Sequence, residues 1–411
     1  MFYKKLLLLI SSLYVGGTAS SLPLSSRQGE ATRGIIIRNL AKPRFFGAAA
    51  NTNFLFKDEN YTKIISKQYS IFTPENEMKW ESIEPQPNAF NFTAADEIVR
   101  FAESVNAMVR GHTIEWENQL PPWVNSSLTA DELDSALKNH IKNVLDHYRG
   151  KLYAFDIVNE MISDNDNETY KDNIWSSAFG DDAIPRALKY AREVDSKLNL
   201  YINDYGTEGV NIKSNKLYAV VQSLLANNVP LNGIGFQCHF TLGQVPDTLV
   251  TNLQRFADLG LDVAITELDI NMRGPSNETA LQQQARDYWS VVNACTKVDR
   301  CVSLTTWGVS DDHSWIPTGH VLPFDEQKNP KPAFFAIADA FEGKSVFAHI
   351  NSYLRYTFSI LRQKFMVFGV SWNSCLLNKP IQNYGATGRD TARFQGANFF
   401  SLFAYEIIAH I

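Results

Sequence analysis

Two short runs of this 411-residue chain end in carboxylates. "DIVNE" closes on Asn159 and Glu160, and "ITELD" carries Glu267 with Asp269 two residues on. Two carboxylates aimed into one mouth suit retaining hydrolysis of a glycosidic bond. At about 5–5.5 Å apart, one attacks the anomeric carbon while the other protonates the leaving oxygen and later activates water. The acid needs a raised pKa, and the nucleophile must stay ionised under hydrogen bonds from its neighbours. His239 is a candidate donor to Glu267, with Asp269 orienting the imidazole. Either glutamate alone reads equally well as a helix cap or a solvated loop charge. The pair, with Asn159 alongside, points to chemistry.

Something must hold these groups together. From about residue 45 the chain alternates short apolar runs with amphipathic segments: "FFGAAA", "YSIFTP", "AMVRGHT", "YAFDIVNE", "LNLYIND", "NGIGFQ", "LDVAITE" and "CVSLTTW". Continuously apolar strands suit a parallel sheet buried on both faces. Thr129 and Glu132 form a capping box before an apolar stripe running from Leu133 to Tyr148, which Gly150 can end. A second stripe, Leu249 to Ala257, stops at Gly260. Eight strand–helix units predict an α/β fold, the (β/α)8 TIM barrel, whose active site lies at the C-terminal ends of the strands. Those ends carry Glu75 and Asn76, His112, Asn159 and Glu160, Asn203 and Asp204, Gln237 and His239, Glu267 and Asp269, and Trp307.

Composition narrows the ligand. A net charge of −6 gives no electrostatic reason to expect nucleic acid or an anionic membrane. Eight Trp, 16 Tyr and 26 Phe include enough rings to serve a ligand with flat apolar faces as well as the core. Lys4 and Lys5, an apolar stretch from Leu6 to Val15 and a small-residue exit have the layout of a cleaved signal, placed at residues 1–19; the run is too short to span a bilayer. Sequons at Asn60, Asn91, Asn125, Asn167 and Asn277 agree with a secreted, extracellular glycoprotein. Cys295 and Cys301 can close a small loop as a disulfide in an oxidising compartment. Zinc is the rival, but no CxxC pair or histidine cluster accompanies them. Cys238 and Cys375 are expected unpaired, with Cys238 buried.

"TPENEMKW" (73–80), "RGHT..W..QLPPW" (110–123), "DIVNE" (156–160), "YINDY" (201–205), "GIGFQCH" (233–239), "ITELDI" (265–270) and "TTWGVSDDHSW" (305–315) resemble, in order, glycoside hydrolase family 10, the endo-1,4-β-xylanases. With "FDEQKNPKPAF" (324–334) the likeness covers about residues 40–343. It implies Glu160 as acid/base, Glu267 as nucleophile, and Asn159 on the 2-hydroxyl of the sugar being cleaved. It further implies Glu75, Asn76 and Lys79 in the neighbouring non-reducing-side subsites. His112, Trp116, Gln119 and Trp123 would build the sugar-binding floor, Gln237 and His239 the nucleophile's side, Trp307 and Trp315 a wall, and Tyr205 the aglycone side. The Cys295–Cys301 spacing resembles that family's disulfide. Xylan is the implied partner of a monomer needing no metal or organic cofactor.

Three features depart from the pattern. Glu117 stands where the family often has histidine at a sugar-contacting position, and its charge is expected to raise a neighbouring carboxyl's pKa. Glu115 and Gly206 are lesser oddities. Residues 345–411, beyond a catalytic domain at 20–344, match no binding module; their single cysteine and interrupted apolar runs argue against a stapled module, a membrane span or a lipid anchor. Two rivals to a xylanase are an endo-β-glucanase of the same barrel class and a catalytically impaired glycan-binding barrel.

Overall fold

Each of the eight apolar runs forms a strand. The computed structural model describes residues 34–348, with 350, 353, 356 and 357. The expected signal segment, and the extension from 358 on with Cys375, lie outside the described residues. In chain order the strands are β1 (Phe45–Ala50), β2 (Ile71–Pro74), β3 (Met108–Glu115), β4 (Ala154–Asn159), β5 (Asn199–Asp204), β6 (Gly233–Phe236), the short β7 (His239–Thr241), β8 (Asp262–Asn271) and β9 (Cys301–Thr306). All pairings are parallel. β1 lies between β2 and β9, and β6 pairs with both β5 and β8, so eight strands close into a barrel. The nearly continuous burial of β2, β4 and β6 follows from packing on both faces.

A long helix follows every barrel strand: α1 (Glu59–Gln68), α2 (Thr93–Ser104), α3 (Ala130–His147), α4 (Ala183–Val194), α5 (Ile212–Ala226), α6 (Leu249–Ala257), α7 (Glu278–Thr296) and α8 (Pro332–Phe341). The capping box at Thr129 and Glu132 is formed, and it starts α3. Asp58, Asn211 and Asn277 cap α1, α5 and α7 by accepting from backbone N–H groups left free in the first turn. The expected stripe of α3, Leu133 to Tyr148, is buried, and Gly260 follows α6 at φ +86°, a conformation that favours glycine. Among the described residues no helix is long and apolar enough to cross a membrane.

Inside the barrel, the missing side chain of Gly235 leaves space for two large polar groups. A Cβ on Gly235 would stand 2.3 Å from Asn203 Oδ1 and 3.1 Å from Arg110, so glycine there makes room for both. Arg110 is buried and donates from Nε to Asp156 at 3.1 Å, with a second nitrogen also bonded to that carboxylate and its guanidinium 4.2 Å above the Tyr201 ring. A disulfide joins Cys295 on α7 to Cys301 at the start of β9, and Cys238 is a buried free thiol. Past residue 344, Tyr353 and Tyr356 pack on Phe335 of α8 with ring centroids 5.9 and 5.4 Å away. Contacts with the barrel therefore run into the extension.

Candidate active site

Glu160 follows β4 directly, with its backbone at φ +58°. That left-handed conformation is disfavoured for a side-chain-bearing residue, and at the strand's end it turns the chain away from the strand direction. Its amide donates to Asn203 O at 2.9 Å. The carboxylate accepts from Trp116 Nε1 at 2.9 Å and from Gln237 Nε2 at 3.0 Å. Trp116 is itself anchored, because Trp175 donates its indole N–H to the Trp116 carbonyl at 2.9 Å.

Glu267 is held from two sides. Asn203 Nδ2 donates to Oε1 at 2.7 Å, and His239 Nε2 lies 3.2 Å from Oε2. The other imidazole nitrogen lies 3.0 Å from Asp269, which also accepts from Trp315 Nε1 at 2.7 Å. The short strand β7 produces this arrangement, since its register sets His239 opposite Asp269. Burial opposes a charged imidazole, but Asp269 and then Glu267 outweigh it and hold the His239 pKa well above its ordinary value. Burial likewise opposes the Glu267 carboxylate; the hydrogen bond from His239 and the field of His112 prevail and keep its pKa below the usual range. Asn203 also lies 2.9 Å from the Asn159 amide, and Glu267 N donates to Gln237 O. Asn203 and Gln237 thus join both carboxylates and Asn159 in one network.

Around this pair, Lys79 is buried and donates to Gln119 Oε1 at 2.6 Å and Asn76 Oδ1 at 3.1 Å, with its ammonium 5.0 Å from the Trp116 ring centroid. Glu75 accepts from Asn51 at 3.1 Å; burial, assisted by Glu77, raises its pKa. His112 touches Asp156 through Nδ1 at 3.1 Å and meets Trp307 edge-on at 5.3 Å between centroids. Trp315 is half-exposed at 53%, leaving a ring face free beside His239. Tyr205 donates to Asp164, with Lys213 and Lys171 3.5 and 4.8 Å from its ring centroid.

Trp123 donates to the Glu84 carbonyl at 3.1 Å and packs edge-on against buried Trp80, so its indole N–H is engaged by the protein. One expectation changes. Glu117 does not add an uncompensated charge: Lys171, from the loop after β4, pairs with it at 3.1 Å and stands 3.7 Å from Glu160 Oε2. Glu115 is fully buried; among the described residues neither carboxylate oxygen has a hydrogen-bond partner, and burial pushes its pKa up to about 8.

Sequence reasoning missed Lys171, Asp156, Arg110 and the bridging role of Asn203. A charged residue in the middle of an apolar strand run was a usable signal for Arg110 and Asp156. Lys171 had none, because a loop lysine is ordinarily solvated. Asp58, Asp312 and His313 converge as a metal site would, as do Asp311, His320 and Glu326. Each cluster already holds an ammonium, Lys328 at 2.9 Å from Asp58 and Lys331 at 2.9 Å from Asp311.

The profile of glycosyl hydrolase family 10 matches residues 36–340. The chain belongs to that family. This family 10 chain is 40% identical over 324 residues to endo-1,4-β-xylanase A of Phanerodontia chrysosporium, covering 76% of this chain and 79% of that one. A glycosylated family 10 endo-β-1,4-xylanase from Gloeophyllum trabeum superposes with a TM-score of 0.71 at 44% identity, covering 74% of this chain and 98% of the other. Xylanase 10B from Thermotoga petrophila, solved with xylobiose, gives 0.72 at 37% identity, covering 75% and 98%. The expected barrel and family are borne out, and this family 10 member is a glycoside hydrolase.

Proposed function

We propose that the protein is a retaining endo-1,4-β-xylanase acting on xylan, with Glu267 as nucleophile and Glu160 as acid/base. The observation that carries this is the joint mooring of the two carboxylates through Asn203 and Gln237, with Glu267 held ionised by His239. Names of relatives and the xylobiose-bound neighbour support xylan as substrate. In the first step a Glu267 oxygen bonds to the anomeric carbon as the glycosidic C–O bond breaks, and the Glu160 proton goes to the leaving oxygen. In the second, Glu160 takes a proton from water as that oxygen attacks the anomeric carbon and releases Glu267. Asn159, which is buried beside Asn203, takes the 2-hydroxyl in this reading. Lys79, Asn76, Gln119, Glu75, His112, Trp307 and Trp315 then bind the non-reducing side, and Tyr205 the aglycone side.

The proposal includes export, with residues 1–19 removed and some sequons glycosylated. Asn91, Asn125, Asn167 and Asn277 are exposed, while Asn60 is half-buried in the first turn of α1.

Reducing-sugar release from xylan against carboxymethylcellulose, with Glu267→Ala as control, tests the substrate. Xylan cleavage abolished by the variant is expected. Equal release from cellulose identifies a glucanase, and no release from either overturns the enzyme assignment for this chain. Proton NMR of the first product tests the mechanism, since initial α-xylose ends would overturn retention.

A further inference from the structure

We propose that Lys171 is a positioning residue for Glu160, with Glu117 as the counter-ion that limits its pull on that carboxylate. This rests on reading Glu160 as the acid/base. The Lys171 side chain is 14% exposed, so it stands at the mouth without being freely solvated. Its ammonium is 3.1 Å from Glu117 Oε1, 3.7 Å from Glu160 Oε2 and 4.8 Å from the Tyr205 ring centroid. The same Glu160 oxygen accepts from Trp116. Lys171 therefore flanks the oxygen that is already held in place, on the side towards Tyr205.

The two steps of the reaction make opposite demands on Glu160. It must surrender a proton to the leaving oxygen, and a bare ammonium close by would keep it ionised and spoil it as an acid. It must then stand ionised while it takes a proton from water, and the same ammonium favours that state. Glu117 binds Lys171 more closely than Glu160 does, which offsets the ammonium's field without removing it. Lys171 keeps its proton throughout: burial opposes its charge, but Glu117 and Glu160 raise its pKa above the ordinary lysine value.

Other ionisable groups also act on Glu160. Lys79 faces it from the loop after β2, and buried Asp204 from the end of β5. Asp204 is balanced by Lys213 at 3.2 Å and, through burial first, has its pKa pushed up to about 7. Glu267 is satisfied by Asn203 and His239. Lys171 and Glu117 are distinguished from these by being paired with each other at the acid/base itself.

The test compares kcat/KM on xylan with kcat/KM on 2,4-dinitrophenyl β-xylobioside, whose leaving group departs without protonation. Lys171→Met is expected to lower the xylan value about tenfold while changing the aryl glycoside less than about twofold, because Glu160 loses a contact that orients it towards the leaving oxygen and only xylan needs its proton. Lys171→Arg should recover most of the loss. The alkaline limb of the xylan pH–rate profile should move up in Lys171→Met and down in Glu117→Gln, since one removes a cation near the acid and the other frees it. Parallel loss on both substrates, or limbs moving in the same direction, overturns the proposal. Should Lys171→Met fail to fold, the sign of the Glu117→Gln shift decides. Glu160→Ala separates the two readings: if it shows no split between substrates, the acid/base assignment fails. A split in Glu160→Ala with none in Lys171→Met sinks only the role of Lys171.

Discussion

Trp116 donates its indole N–H to Oε2 of Glu160 at 2.9 Å, and its own carbonyl is clamped by buried Trp175. Glu160 is therefore oriented by a ring that is itself held in place. A hydrogen bond to a charged group contributes about 1.5–3 kcal/mol. Trp116→Phe keeps an apolar ring but loses the donor, and kcat/KM on xylan should fall by roughly ten- to a hundredfold. Unfolding free energy measured alongside should change much less. An unaltered rate would show that Gln237 alone suffices to hold Glu160.

The relay from Asp269 through His239 to Glu267 sets a second expectation. His239 has a folded pKa raised above 6.5, so the stability it contributes is present below that value and lost as pH rises through the folded pKa. Glu267 has a lowered pKa, so its contribution is present above 4.5 and lost as pH falls through the folded pKa. The ion pair is strongest between those limits. Asp269→Asn removes the largest influence raising the histidine. The imidazole pKa should then move down, as expected when an opposite charge is withdrawn. Imidazole NMR titration checks that shift directly, and an unmoved midpoint would show that His239 does not need Asp269.

Glu115 tests stability away from catalysis. Its folded pKa of about 8 against an ordinary 4.5 means the folded chain keeps a proton that the unfolded chain has released. Stability should therefore decline between pH 4.5 and 8, by about 1.4 kcal/mol per pH unit at most, and level off above that window. Glu115→Met fills a similar volume with no charge. Its gain over the native chain in urea unfolding should be small at pH 5 and larger at pH 9. Equal gains at the two pH values would mean that water or Arg186 satisfies the carboxylate.

Local signals carried a long way here. The eight apolar runs became the eight barrel strands within a few residues at each end, because burial on both faces demands such runs whatever surrounds them. The rule that chemistry sits at the C-terminal ends of barrel strands then selected Glu160, Glu267, Asn159, Gln237 and His239 before any contact was visible. Capping at Thr129 was equally legible, since its partner Glu132 is three residues away. β7 was not, because three residues carry too little pattern to announce a strand.

What the sequence determined by itself was periodicity, strand order and the residue types at the strand ends, all of which are set by short-range chemistry. Only the closed barrel decided which groups meet. It brought Lys171 to Glu117 across 54 positions, joined Asn203 to Glu267 across 64, and turned Trp123 towards Glu84 and Trp80. Such pairings depend on register and loop path around the whole sheet, and no local pattern encodes where a loop lysine will find its counter-charge.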